Sequence, residues 1–252
     1  MLTQAVKRAL ENIGIEIRRK EHSLALVPPE LARIYERTKP YTMTSLERMA
    51  ALYDAVRYLE ANQIAGDFVE CGVWRGGSAM NMALTLLECG SHTRHLYLFD
   101  TFAGMSEPTS EDVDVHGRLA QRMFDRSRTG ESNAWCYAPL ETVQQNMSST
   151  GYPEDRLHLV KGKVEDTLPG SAPERIALLR LDTDWYESTR HELEHLFPRL
   201  VPGGVLILDD YGHWRGARKA ADEYFTQRGM NPLLFRIDYT ARMMLNGSAH
   251  SR

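Results

Sequence analysis

The chain has 252 residues, of which 42% are hydrophobic and 25% charged, and a formal charge of −4. That size allows one substantial core. No apolar run approaches the roughly 18 residues of a spanning helix, so no membrane association is expected, and the acidic balance gives no general attraction to nucleic acid.

Residues 1–40 place Leu2, Ala5, Val6, Ala9, Leu10 and Ile13 at near-helical spacing before a polar stretch and the Pro28-Pro29 break. Charges interrupt the apolar positions, so the segment reads as an amphipathic helical appendage and not as a secretory signal. Residues 41–252 then form one domain. The run TSLERMAALYDAVRYLEA puts Leu46, Met49, Leu52, Ala55, Val56 and Leu59 on one helical face, with Thr44 or Ser45 as N-cap. GDFVECGVWRGGSAM follows as strand, glycine loop and helix start. Four further apolar runs, HLYLFD at 95–100, RLHLVKGKV at 156–164, IALLRLD at 176–182 and VPGGVLILDD at 201–210, alternate with helical segments. Continuous apolar strands covered by helices indicate a doubly wound α/β fold around a mostly parallel sheet. Residues 101–135 are polar, with one short helix expected, and have the length and composition of a lid. Cys71, Cys89 and Cys136 are an odd set without CxxC spacing, which argues against a disulfide framework or a cysteine zinc site and for a reducing, cytoplasmic setting.

The glycine loop, Glu70 to Ser78, permits a tight turn and close approach of a ligand to the backbone. It is not GxGxxG, so the dinucleotide fingerprint fails. Asp100 ends the next strand, where its carboxylate suits either two ribose hydroxyls or the cap of the DTFAG turn. Loop and acid together suit an adenosyl ligand without a pyrophosphate. After the third run, Val164 is placed to lie against an adenine, with Lys163 or Glu165 near its rim.

Asp182-Thr183-Asp184 closes the fourth run and Asp209-Asp210 the fifth. In a parallel sheet these ends share one edge, where the carboxylates would repel one another unless neutralised. Hard oxygen ligands of this kind suit magnesium, calcium or manganese. Three carboxylates leave positions for a chelating diol, whose deprotonation the cation favours. Asp184 is a candidate general base, a task Asp182 also suits. Trp185, Tyr186, Trp214 and His213 flank the acids as candidate substrate contacts or packing residues.

Taken together, KPYTMTS, FVECGVWRGGSAM, LYLFDTFAGM, TGYPEDRLHLVKGKVEDTLP, LRLDTDWYEST and LVPGGVLILDDYGHWRGARKA resemble the macrocin O-methyltransferase family of antibiotic-sugar methyltransferases, from about Lys39 to Phe225. The resemblance implies a class I, Rossmann-like methyltransferase dependent on S-adenosylmethionine and Mg2+ or Mn2+. By the same resemblance Glu70, Gly72, Ser78 and Asp100 surround S-adenosylmethionine, Met43 and Thr44 approach its methionine end, and Asp182, Asp209 and Asp210 hold the cation. Asp184 matches the base, 101–135 the substrate lid, and the appendage a homodimer contact. The implied acceptor is a small glycoside or nucleotide-sugar.

Two other readings compete. Asp182-Thr183-Asp184 is also the D-x-D of a haloacid-dehalogenase-like phosphotransferase, but that core would begin near residue 176 and leave about 75 residues, below a usual domain. A non-catalytic nucleotide-binding module explains the glycine loop and leaves the acidic cluster without a purpose.

Overall fold

The computed structural model describes residues 24–129 and 132–247, so the expected helix over residues 1–23 lies outside the described residues. Helix α1 (Pro29–Thr38) starts with proline at its first position, where no intrahelical N–H is needed. Its Leu31 and Ile34 pack with Tyr53 and Leu84. The described part of the expected appendage is therefore seated on the core.

Helix α2 (Leu46–Ala61) is capped by the Ser45 side chain, which accepts from the Arg48 N–H, and all six apolar positions read from its periodicity are buried. Strand β1 (Asp67–Cys71) leads through the glycine loop to α3 (Gly77–Glu88), and β2 (Leu96–Asp100) follows. The 101–135 segment contains α4 (Gln121–Arg126) and a small hairpin of β3 (Arg128–Thr129) and β4 (Ser132–Asn133). Next come α5 (Leu140–Ser148), β5 (Leu157–Lys161), α6 (Val164–Thr167), β6 (Ile176–Leu181), α7 (Tyr186–Leu196), β7 (Leu200–Leu208) and α8 (Arg215–Gln227). Strands β8 (Phe235–Arg236) and β9 (Arg242–Leu245) end the described chain.

Among the described residues seven strands form one sheet in the order β5-β2-β1-β6-β7-β9-β8. The five strands expected from the sequence are mutually parallel, and β9 and β8 add an antiparallel edge that the sequence reading lacks. Period-two alternation splits the strand residues between two cores. Phe68, Leu98, Leu178 and Val205 face α2, α3 and α5, while Val69, Phe99, Leu179 and Leu206 face α7 and α8. No helix among the described residues is long and apolar enough to cross a membrane.

Register places the site. Cys71 pairs with Phe99 on one side and Leu181 on the other, and Leu181 pairs with Leu208. Gly72, Asp100, Asp182 and Asp209, each one residue further along, therefore stand in one row at the carboxyl edge, where open α/β sheets bind ligands.

Candidate active site

The glycine loop is drawn tightly onto that row. Gly72 has φ +83°, and a side chain there would overlap the Asp182 carbonyl, so only glycine fits. The Val73 and Trp74 N–H groups donate to Asp100 Oδ2 at 2.7 and 3.0 Å, and the Phe102 N–H donates to Oδ1 at 2.7 Å. Asp100 thus ties the loop to its own turn while lining the cleft. Burial pushes its carboxyl up, against these three N–H donors. The Thr101 hydroxyl also lies 3.4 Å from Oδ1, so a ligand hydroxyl would compete with that longest contact.

The cleft above the row has two lobes that share Gly72, Asp100, Gly104, Met105 and Asp182. The larger, about 810 Å³ and open to solvent, is walled by Tyr41 to Thr44, by Ser78 and by the acids. Gly77 and Ser78 present the N-terminus of α3, the positive end of a helix and suited to an anionic group. The smaller lobe, about 450 Å³, contains Lys163, Val164 and Glu165. Met43, Thr44, Gly72, Ser78, Asp100, Lys163, Val164 and Asp182 therefore all line the cleft.

Glu70 does not. It is fully buried and reaches Arg180 Nη1 at 2.6 Å. Burial pushes its carboxyl up to about 7, against the pull of that guanidinium. Its position one residue before the loop turns places it under the cleft floor, and any effect on a ligand passes through Arg180. Arg180 also holds Asp182 Oδ2 at 2.8 Å and Asp209 Oδ1 at 2.6 Å, and Asp209 Oδ2 is taken by Arg48.

Asp182, Asp184 and Asp210 each offer one oxygen within 4.8 Å of the others. The grouping differs from the expected ligand set: Asp209 also lines the larger lobe but has both oxygens on guanidinium groups, and Asp184 is the third acid drawn close to Asp182 and Asp210. Asp184 has φ +68°, a left-handed turn that swings its N–H to 3.3 Å from Asp210 Oδ2. Burial, with the charges of Asp182 and Asp209, pushes Asp184 up to about 7, against its hydrogen bonds with Asp210 and Trp214. Burial also raises Asp182 and Asp210 well above the carboxylate range, and neighbouring acids add to it. Crowded, partly buried carboxyls of this kind fit a hard divalent cation, which would relieve their repulsion.

Of the two readings open for the flanking residues, packing describes Trp185 and Trp214. Trp185 and Trp214 are buried and pack edge-on at 5.0 Å, with Trp135 against both, because the first turns of α7 and α8 converge there. The Tyr186 hydroxyl turns outward to Glu223 at 2.7 Å. His213 contacts Tyr239 and Trp214, and none of Trp185, Tyr186, Trp214 and His213 lines either lobe. The 101–135 segment is anchored to the same helix starts: the Trp185 indole donates to the Ser106 carbonyl, the Tyr186 N–H to Asp112 and the Arg215 N–H to the Val113 carbonyl. Its Gly104 and Met105 form cleft wall.

Sequence reasoning missed Arg48, Arg180 and Cys136. Arg180 left a signal, a single charge inside the apolar run IALLRL, which in a strand covered on both faces implies a buried partner. Arg48 sits among ordinary helix-surface residues and left none. Trp74, Phe102, Cys136 and Asp184, four of the five non-glycine residues with positive φ among the described residues, gather around the cleft.

The family described as Macrocin-O-methyltransferase (TylF) matches residues 31–244. Over 212 residues the chain is 36% identical to the 8-demethyl-8-(2,3-dimethoxy-alpha-L-rhamnosyl)-tetracenomycin-C 4'-O-methyltransferase of Streptomyces olivaceus, covering 84% of this chain and 78% of that one. It is 31% identical to the mycinamicin III 3''-O-methyltransferase of Micromonospora griseorubida, over 80% of this chain and 76% of that one. Among solved structures, the O-methyltransferase NovP superposes with a TM-score of 0.72 at 27% identity, over 82% of each chain.

Proposed function

The chain belongs to the macrocin O-methyltransferase family, and from that premise we propose that it moves a methyl group from S-adenosylmethionine to a sugar hydroxyl of a glycosylated natural product, assisted by Mg2+. The observation that carries this reading is the strand register, which sets the glycine loop and the acidic cluster side by side on one sheet edge.

Bound S-adenosylmethionine supplies an electrophilic methyl on its sulfonium. Met43, Thr44 and Ser78 take its amino-acid end, Asp100 lies at the ribose, and Val164 and Lys163 flank the adenine. A divalent cation held by Asp182 and Asp210 supplies a Lewis acid that favours ionisation of a nearby hydroxyl. Asp184, beside both ligands, is the proton acceptor. Asp209 stays with Arg48 and Arg180 as the anion that fixes those two guanidiniums. Gly104, Met105 and the acids all line the larger lobe, where they would hold the acceptor hydroxyl close to the donor.

Calorimetry with S-adenosylhomocysteine and a methyl-transfer assay on glycosylated acceptors test the division of labour. Asp182→Asn and Asp210→Asn are expected to lower kcat by about 100-fold or more while product affinity changes by less than about threefold. Turnover indifferent to chelator would remove the cation from the mechanism. Failure of the unaltered protein to bind S-adenosylhomocysteine would overturn the reading as a whole.

A further inference from the structure

The turn between β8 and β9 holds Asp238, which lines neither lobe of the cleft. Four groups converge on its carboxylate. Oδ1 accepts from the N–H groups of Thr240 and Ala241 at 2.9 and 2.8 Å, which fixes the turn. Oδ2 accepts from the Ser45 hydroxyl at 2.9 Å and forms an ion pair with Arg48 Nε at 3.1 Å, 193 and 190 residues away in sequence. Although burial works against its charge, these partners hold Asp238 below the usual carboxylate range.

Ser45 is the N-cap of α2, and the residues just before it, Tyr41 to Thr44, are a wall of the larger lobe. That wall is seated at its other end on Gly77, where an added Cβ would come within 2.6 Å of the Tyr41 backbone and the Thr42 side chain. Within it Thr44 N–H donates to Thr42 Oγ1 at 3.1 Å. The same turn is fastened to the acidic edge, since the Thr240 hydroxyl donates to the Asp209 carbonyl at 2.6 Å and the Gly212 N–H to the Thr240 carbonyl at 2.7 Å.

We propose that Asp238 is a positioning residue that clamps the 41–45 wall over the donor lobe by holding Ser45 and Arg48 against the β8–β9 turn. It touches no ligand and acts through those two side chains. The C-terminal hairpin, absent from the sequence-level account, then sets donor affinity. This inference rests on the donor site described above.

Calorimetric titration with S-adenosylhomocysteine separates the two. With the unaltered protein binding, Asp238→Ala is expected to weaken affinity about tenfold or more, the loss of hydrogen bonds to a charged group, and to raise the donor KM more than it lowers kcat. Ser45→Ala is expected to weaken binding by itself but to add little in the Asp238→Ala background, the coupling expected of groups in direct contact. Asp238→Asn, which keeps the caps of Thr240 and Ala241, guards against loss of the fold and should lie between the two. Unchanged affinity in a cooperatively folded Asp238→Asn protein, or additive effects in the cycle, would overturn the clamp. Absence of binding by the unaltered protein would instead refute the donor site.

Discussion

At the scale of single residues the centre of the molecule is Arg180. One guanidinium, 3% exposed at its side chain, reaches Glu70 Oε1 below the glycine loop, Asp182 at the cleft floor and Asp209 at the end of the next strand. Removing one partner of a buried ion pair leaves an uncompensated charge, which costs about 3–5 kcal/mol. Arg180→Met is therefore expected to lose about that much stability in urea unfolding. Arg180→Lys should recover little, because a point-like ammonium cannot span three carboxylates as a planar fork does. The sequence read well where a residue's task is set by its own backbone position: Asp100 ends its strand, Gly72 and Asp182 each follow the last residue of theirs, and all three line the cleft. It read less well where a side chain chooses among neighbours brought by other strands. Glu70 and Asp209 carry the expected residue type at the expected edge, yet guanidinium groups claim the Glu70 carboxylate beneath the cleft and both oxygens of Asp209 within it.

At the scale of elements, every strand of the parallel sheet was legible, because a strand covered on both faces is written as a mostly apolar run, interrupted in β1 by Glu70 and in β6 by Arg180. The β8–β9 hairpin was not. Phe235 and Leu245 are exposed on an edge ladder only two to four residues long, so no alternation marks them. The contact between α3 and the 41–44 wall was likewise invisible, since it depends on a missing side chain at Gly77. Gly77→Ala is expected to keep the fold at a cost of about 1–3 kcal/mol and to shift Tyr41 and Thr42 off the helix. A thermal melt and an S-adenosylhomocysteine titration check both parts; a normal melt with weakened binding would locate the damage in the wall itself.

For the whole molecule, charge buried beneath the cleft makes stability depend on pH. Glu70 titrates near 4.5 in an unfolded chain and at about 7 when folded. Between those values the folded state keeps a proton that the unfolded state has released, so this contribution is fully present below about 4.5, declines as pH rises and is lost above about 7. Glu70→Gln, which mimics the protonated form, should reduce the difference in unfolding free energy between pH 5 and pH 7 by on the order of 2–3 kcal/mol in the presence of chelator. Equal slopes for variant and unaltered protein would show that the burden lies on other acids. The left-handed backbone at Trp74, Phe102, Cys136 and Asp184 has a consequence for anyone selecting hardier variants of this enzyme. Glycine would relax the backbone at Cys136 and Asp184, whereas at Trp74 and Phe102 it would also strip core packing, so a screen on heat resistance alone is drawn to the acidic side of the cleft, and only a second screen on turnover would steer the winners elsewhere.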